Sequence, residues 1–149
     1  MTSLQKLQET FLPLLKPEDF FLLVAHATNK EKVWLLTHPE YILSDSELTC
    51  ATQFFTRRLA HEPVALIIGH KEFYGRDFLV TPDTLVPRPE TELLVEHVLE
   101  SIRSLETSNA HEANAIDIID IGTGSGNIII TLAKELKTTY SAADIRYQA

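Results

Sequence analysis

At 149 residues, with 44% hydrophobic and 23% charged side chains, the chain is long enough for one good core or two small ones and reads as a globular, soluble protein. Its net charge of −8 argues against general affinity for nucleic acid, which needs clustered Lys and Arg. No run approaches the roughly 18 apolar residues of a membrane span, and Met1-Thr-Ser-Leu-Gln-Lys has no signal-peptide pattern, so the expectation is a cytoplasmic protein with no membrane partner.

From Ser3 to about Leu59 the apolar period is helical. Leu4, Leu7, Phe11 and Leu14 recur every three to four residues, and Pro17 suits the first turn of a helix carrying Phe20, Leu23 and Val24. Asn29 is read as the cap of a short helix holding Trp34 and Leu35. Ser44 followed by Glu47 is a capping-box signature for a helix whose Leu48, Phe54, Phe55 and Leu59 form the apolar side. The only dense basic spot, Arg57-Arg58, reads as solvated or paired with carboxylates.

From Val64 to Val86 the signal becomes extended. Val64-Ala-Leu-Ile-Ile is β-rich and closes at Gly69, and Phe73 to Val80 reads as two arms around a glycine turn, giving a β-hairpin connector. Pro87 and Pro89 end it. Pro89 opens a helix with Glu90 and Glu92 in its first turn and Leu93, Leu94, Val98, Leu99 and Ile102 along it, to about Leu105. A polar loop follows from Thr107 to Asn114. Cys50, the single cysteine, cannot form an internal disulfide, and the scattered His26, His38, His61, His70, His97 and His111 have no metal-ligand spacing.

The last zone is the most informative. A strand (Ala115 to Ile121) runs into Asp120-Ile-Gly-Thr-Gly-Ser-Gly126, then a helix (about Asn127 to Leu136), then a strand (Thr139 to Ala143) reaching Asp144. Strand, helix, strand at this spacing is a parallel βαβ unit. Glycines let the backbone turn tightly and approach a ligand, and the following helix aims free N–H groups at the same spot. Asp144, 22 positions after Gly122, falls where a carboxylate accepts hydrogen bonds from ribose hydroxyls. Asp120 is either an ordinary strand-end carboxylate or one that orients the turn by accepting backbone N–H groups. The residues thus read as a nucleotide-cofactor half-site; an NAD site or a turn without a ligand stays open.

The Asp-x-Gly-x-Gly-x-Gly form with its later acidic residue resembles the motif of class I S-adenosylmethionine-dependent methyltransferases. Leu85-Val-Pro-Arg-Pro-Glu-Thr-Glu92, taken with Glu62-Pro-Val-Ala65, Gly69, Phe73-Tyr-Gly75, Phe78 and Val80, closely resembles the release-factor glutamine methyltransferases of the HemK type. A related branch acting on a ribosomal protein departs from the Pro-Arg-Pro-Glu-Thr-Glu form.

The resemblance implies an α/β protein in three parts: a helical substrate-recognition domain over 1–62, a hairpin linker over 63–88, and over 89–149 the opening βαβ unit of a Rossmann-like methyltransferase sheet. It implies S-adenosylmethionine as cofactor, held by Gly122, Thr123, Gly124, Ser125, Gly126 and Asp144. It also implies N5-methylation of the glutamine in the Gly-Gly-Gln segment of a class I peptide chain release factor, with no direct nucleic-acid partner and the oligomeric state left open. The family holds that glutamine with an Asn-Pro-Pro-Tyr segment absent from these 149 residues, so no catalytic residue is assigned and the chain alone is expected to be inactive. The alternatives are a truncated release-factor-binding module and a nonfunctional gene fragment.

Overall fold

The computed structural model describes residues 2–107, 116–137 and 145–149. They form a mixed α/β architecture in two compact units, Met1–Gly69 and His70–Ala149.

The first unit contains β1 (Thr2–Ser3), α1 (Leu4–Phe11), α2 (Pro17–Thr28), α3 (Lys32–Thr37), β2 (Ile42–Leu43), α4 (Asp45–Leu59) and α5 (Val64–Ile68). Local chemistry sets the helix ends. The Ser3 hydroxyl accepts the Lys6 N–H, and Pro17 opens α2 with Glu18 and Asp19 in the positive first turn. The capping box of α4 is complete: Ser44 Oγ accepts the Glu47 N–H at 3.3 Å while Glu47 Oε2 accepts the Ser44 N–H at 2.7 Å. Burial tends to raise the Glu47 carboxyl, but hydrogen bonds from Ser44 and Tyr41, with the Lys30 charge, outweigh it and hold the group below the ordinary carboxylate value.

Leu4, Leu7, Phe20, Leu23, Val24, Leu35, Leu43, Ala51, Phe55 and Ile67 fill the core. Phe55 is its centre, stacked on Phe20 at 5.2 Å and touching Phe11 at 4.5 Å between ring centroids. Arg58 of α4 reaches Asp19 of α2 at 2.8 Å, and Arg57 pairs with Glu62, so the one basic spot is taken up by carboxylates as the sequence suggested. The Trp34 ring stacks on His38 at 4.2 Å, meets Tyr41 edge-on at 5.2 Å and carries the Lys30 ammonium 4.7 Å from its centroid.

Three expectations for this unit are corrected. Val64–Ile68 is a helix rather than a strand. The Pro63 carbonyl accepts the Leu66 and Ile67 N–H groups, Gly69 closes the turn in the left-handed region (φ 78°), and Ile67 is buried in the helical core, which outweighs β propensity over so short a run. Asn29 caps the end of α2 at φ 52° rather than the start of α3. Leu14 and Leu59 are exposed, because α1 ends at Phe11 and the last turn of α4 carries Leu59 past the core.

The second unit contains β3 (His70–Phe73), β4 (Arg76–Leu79), a 3₁₀ turn (Pro89–Thr91), α6 (Glu92–Thr107), β5 (Ile116–Ile119), α7 (Asn127–Leu136) and β6 (Ile145–Gln148). β3 and β4 are an antiparallel hairpin whose two central residues, Tyr74 and Gly75, both have positive φ, the primed turn that matches strand twist. Phe73 and Phe78 from the hairpin join Val95, Leu99 and Ile102 of α6, Leu132 and Leu136 of α7, and Ile145 of β6 in one core. Leu93 and Leu94 are exposed on the outer side of α6. β5 and β6 pair in parallel, Ile116 opposite Ile145 and Ile119 opposite Gln148.

The strand expected over Thr139 to Ala143, reaching Asp144, lies outside the described residues; β6 begins at Ile145. The physical signal for β6 is the alternation Ile145-Arg-Tyr-Gln148: Ile145 and Tyr147 pack on the core while Arg146 and Gln148 face out. All of the expected loop but Thr107 also lies outside the described residues. Among the described residues no helix is long and apolar enough to cross a membrane.

Candidate functional site

The site is built where β5 gives way to α7. Asp120 extends the parallel ladder by donating its N–H to the Gln148 carbonyl at 2.9 Å. Its carboxylate accepts the Thr123 hydroxyl at 3.0 Å. Of the two readings the sequence left open for Asp120, the structure shows a carboxylate bonded within the turn, with a side-chain hydroxyl rather than backbone N–H groups as its partner. Gly122, Gly124 and Gly126 stand at φ 80°, 58° and 77°, where a Cβ is strained. Gly126 donates its N–H to the Thr123 carbonyl at 2.9 Å, closing the loop, and accepts the Ile130 N–H as the first bond of α7.

The three glycines differ in what surrounds them. A Cβ on Gly122 would meet nothing within 4 Å, and one on Gly124 only the Gly122 carbonyl at 4.0 Å, so both glycines face open space. A Cβ on Gly126 would lie 2.8 Å from Ile130 Cδ1, so this glycine serves close packing of turn on helix. Because Gly126 is the N-cap, α7 has no side-chain cap, and its first-turn N–H groups point toward the turn. Ser125 donates its hydroxyl to Asn127 Oδ1 at 3.2 Å, bringing two more polar groups to the same rim. The backbone cradle and the helix terminus together suit a ligand with carboxylate, hydroxyl or nucleoside groups.

Gly122, Thr123, Gly124, Ser125 and Gly126 are therefore brought together; Asp144 lies outside the described residues. Among the described residues no group of His, Cys, Asp and Glu is arranged to hold a metal ion. Sequence reasoning missed the contacts that fasten the hairpin to the helices: Tyr74 N–H to Glu92 Oε1 at 3.0 Å, and Arg76 Nη2 to Glu135 Oε1 at 2.6 Å. It also missed the fully buried Thr131 hydroxyl, which finds no hydrogen-bond partner among the described residues.

A helical unit followed by a hairpin, a long helix and a parallel β-turn-α-β arrangement with a glycine turn is consistent with a partial Rossmann-like fold. Comparisons with known proteins narrow the class. Residues 16–69 match the family described as PrmC N-terminal domain. The chain is 42% identical over 120 residues to the release factor glutamine methyltransferase of Aliivibrio fischeri, covering 80% of this chain and 39% of that one. It is 43% identical over 129 residues to the protein of the same name from Koribacter versatilis, covering 86% and 43%. A bifunctional methyltransferase of Rickettsia prowazekii is 38% identical over 141 residues, covering 86% and 27%. Over most of its length this chain is similar to the release factor glutamine methyltransferases, and the family match points the same way. It spans about two fifths of the length of the release factor glutamine methyltransferases it matches.

Proposed function

We propose that the second unit carries the S-adenosylmethionine half-site of a release factor glutamine methyltransferase, as the opening of a class I methyltransferase sheet. The observation that carries this reading is the turn from Gly122 to Gly126, with three glycines at positive φ between a parallel strand and an uncapped helix. Gly122 and Gly124 leave the backbone bare where the cofactor rests, Thr123 is held by Asp120, and Ser125 and the first turn of α7 offer hydrogen bonds. Asp144 enters by its spacing, as the acceptor for the ribose hydroxyls.

Bound there, S-adenosylmethionine supplies a methyl group on a sulfonium, which in this family goes to the side-chain amide nitrogen of a glutamine. The chain's own residues bind and orient that donor. The first unit, Met1–Gly69 with its own core, is the part we assign to recognition of a class I peptide chain release factor, and 89–149 the part we assign to the start of the cofactor domain. The setting is cytoplasmic. The five-residue glycine turn, one residue shorter than the dinucleotide pattern, and the relatives' names favour this cofactor over NAD.

Calorimetric titration of the chain with S-adenosylmethionine and with NAD tests the reading. Binding of the former that is weakened by Gly124→Ala and by Asp144→Asn supports it. Tighter binding of NAD, or S-adenosylmethionine binding indifferent to Gly124→Ala, would sink it.

A further inference from the structure

The hairpin of the second unit turns at a strained residue, Tyr74, that two side chains hold. Tyr74 sits at φ 52°, a region that L residues rarely adopt. Its N–H donates to Glu92 Oε1 at 3.0 Å, from the first residue of α6, and the neighbouring Gly75 N–H donates to Glu72 Oε1 at 2.6 Å. The Tyr74 carbonyl accepts from Arg76 Nη1 at 3.1 Å. The other arm of the same guanidinium donates to Glu135 Oε1 of α7 at 2.6 Å. One unbroken series of polar contacts thus runs from α6 through Glu92, the Tyr74 backbone and Arg76 to Glu135 and α7.

This series reaches the helix that presents the glycine turn. The apolar packing of Leu132 and Leu136 against the cluster that holds Val95, Leu99 and Ile102 is non-directional, so by itself it specifies the roll of α7 less sharply than directional bonds do. A forked guanidinium bonded to two fixed acceptors supplies such bonds. Glu135 lies nine residues beyond Gly126, about 13 Å along the helix at 1.5 Å per residue, so a pivot at one end displaces the other. Gly126 gives α7 no side-chain cap, so helix placement sets where its first N–H groups point.

We propose that Glu92 and Arg76 are positioning residues for the glycine turn, clamping α7 to α6 through the hairpin tip. This rests on the reading of that turn as the S-adenosylmethionine site. It also gives the Pro-Arg-Pro-Glu-Thr-Glu string a physical role, since its rigid prolines deliver Glu92 to the Tyr74 N–H.

The test uses the 149-residue chain with Glu92→Ala, Glu92→Gln and Arg76→Lys. Gln keeps an acceptor for the Tyr74 N–H, whereas Lys keeps the charge of Arg76 but not the fork. Two readouts are taken: amide hydrogen exchange over Ile128 to Ala133, and affinity for S-adenosylmethionine by calorimetry. The expected result for Glu92→Ala and Arg76→Lys is faster exchange and affinity weaker by roughly fivefold or more, with Glu92→Gln restoring both. Unchanged exchange in Glu92→Ala and Arg76→Lys overturns the clamp, and faster exchange with unchanged affinity overturns its positioning role. Failure of the unsubstituted chain to bind S-adenosylmethionine would instead sink the site reading, with the exchange comparison still deciding the clamp.

Discussion

Ile130 Cδ1 lies 2.8 Å from the point where a Cβ on Gly126 would sit. The clash and the positive φ of Gly126 are separable contributions. Gly126→Ala is expected to destabilise the second unit by about 1–2 kcal/mol, chiefly from left-handed backbone strain, with a smaller steric part because Ile130 Cδ1 is the end of a partly exposed side chain. Adding Ile130→Ala, at a side chain already 43% exposed, should recover the steric part and leave the backbone part. Urea denaturation of the two variants followed by hydrogen exchange in α7 checks this; equal loss in both would mean that packing contributes nothing.

Gly124→Ala should behave differently. With only the Gly122 carbonyl 4.0 Å from its Cβ position, the added methyl brings strain of about 1 kcal/mol and no clash, yet it fills the bare side of the cradle. Cofactor affinity should therefore fall by more than stability does. Calorimetry and denaturation on the same preparation give both numbers.

The α4 cap sets an acid sensitivity. Glu47 is held below the ordinary carboxylate value in the folded chain, so its contribution is fully present above its unfolded value and is lost as pH falls through its depressed folded value. Ser44→Ala should destabilise the first unit by about 1 kcal/mol at neutral pH. At about pH 3, with the unfolded carboxyl protonated, the gap between Ser44→Ala and the unsubstituted chain should narrow. Urea curves at the two pH values test this, and a gap that widens in acid would contradict the sign.

Arg58 and Asp19 form a partly buried pair, with side chains 26% and 20% exposed. A double-mutant cycle of Arg58→Ala and Asp19→Ala should return a coupling of about 1 kcal/mol, the upper end for accessible pairs. A coupling near zero would leave Arg58 with only its bond to the Glu62 carbonyl.

What the sequence disclosed follows from the range of the interactions. The Ser44-Glu47 cap, the Pro17 start and the span of α7 rest on contacts within one turn, and each was legible. The glycine turn was legible because three glycines in five residues after an apolar run have few other uses. Val64–Ile68 was misread because its identity depends on burial of Ile67 against distant helices. The pairing of Thr2 with Leu43 and the bond from Arg76 to Glu135, 59 residues apart, left no local trace. Glu92 appeared as a helix-dipole carboxylate, and its reach to Tyr74 becomes visible only once the hairpin turn is built.

The chain has one tryptophan, and the stack of Trp34 on His38 with Lys30 above it places that fluorophore wholly within the first unit. Its emission is therefore a private optical channel for that unit, blind to the melting of the glycine turn and α7. Ellipticity, by contrast, sums over every helix. Overlaying the two signals through one titration tells whether the units lose structure in a single step or in two, without a label or a cut in the chain.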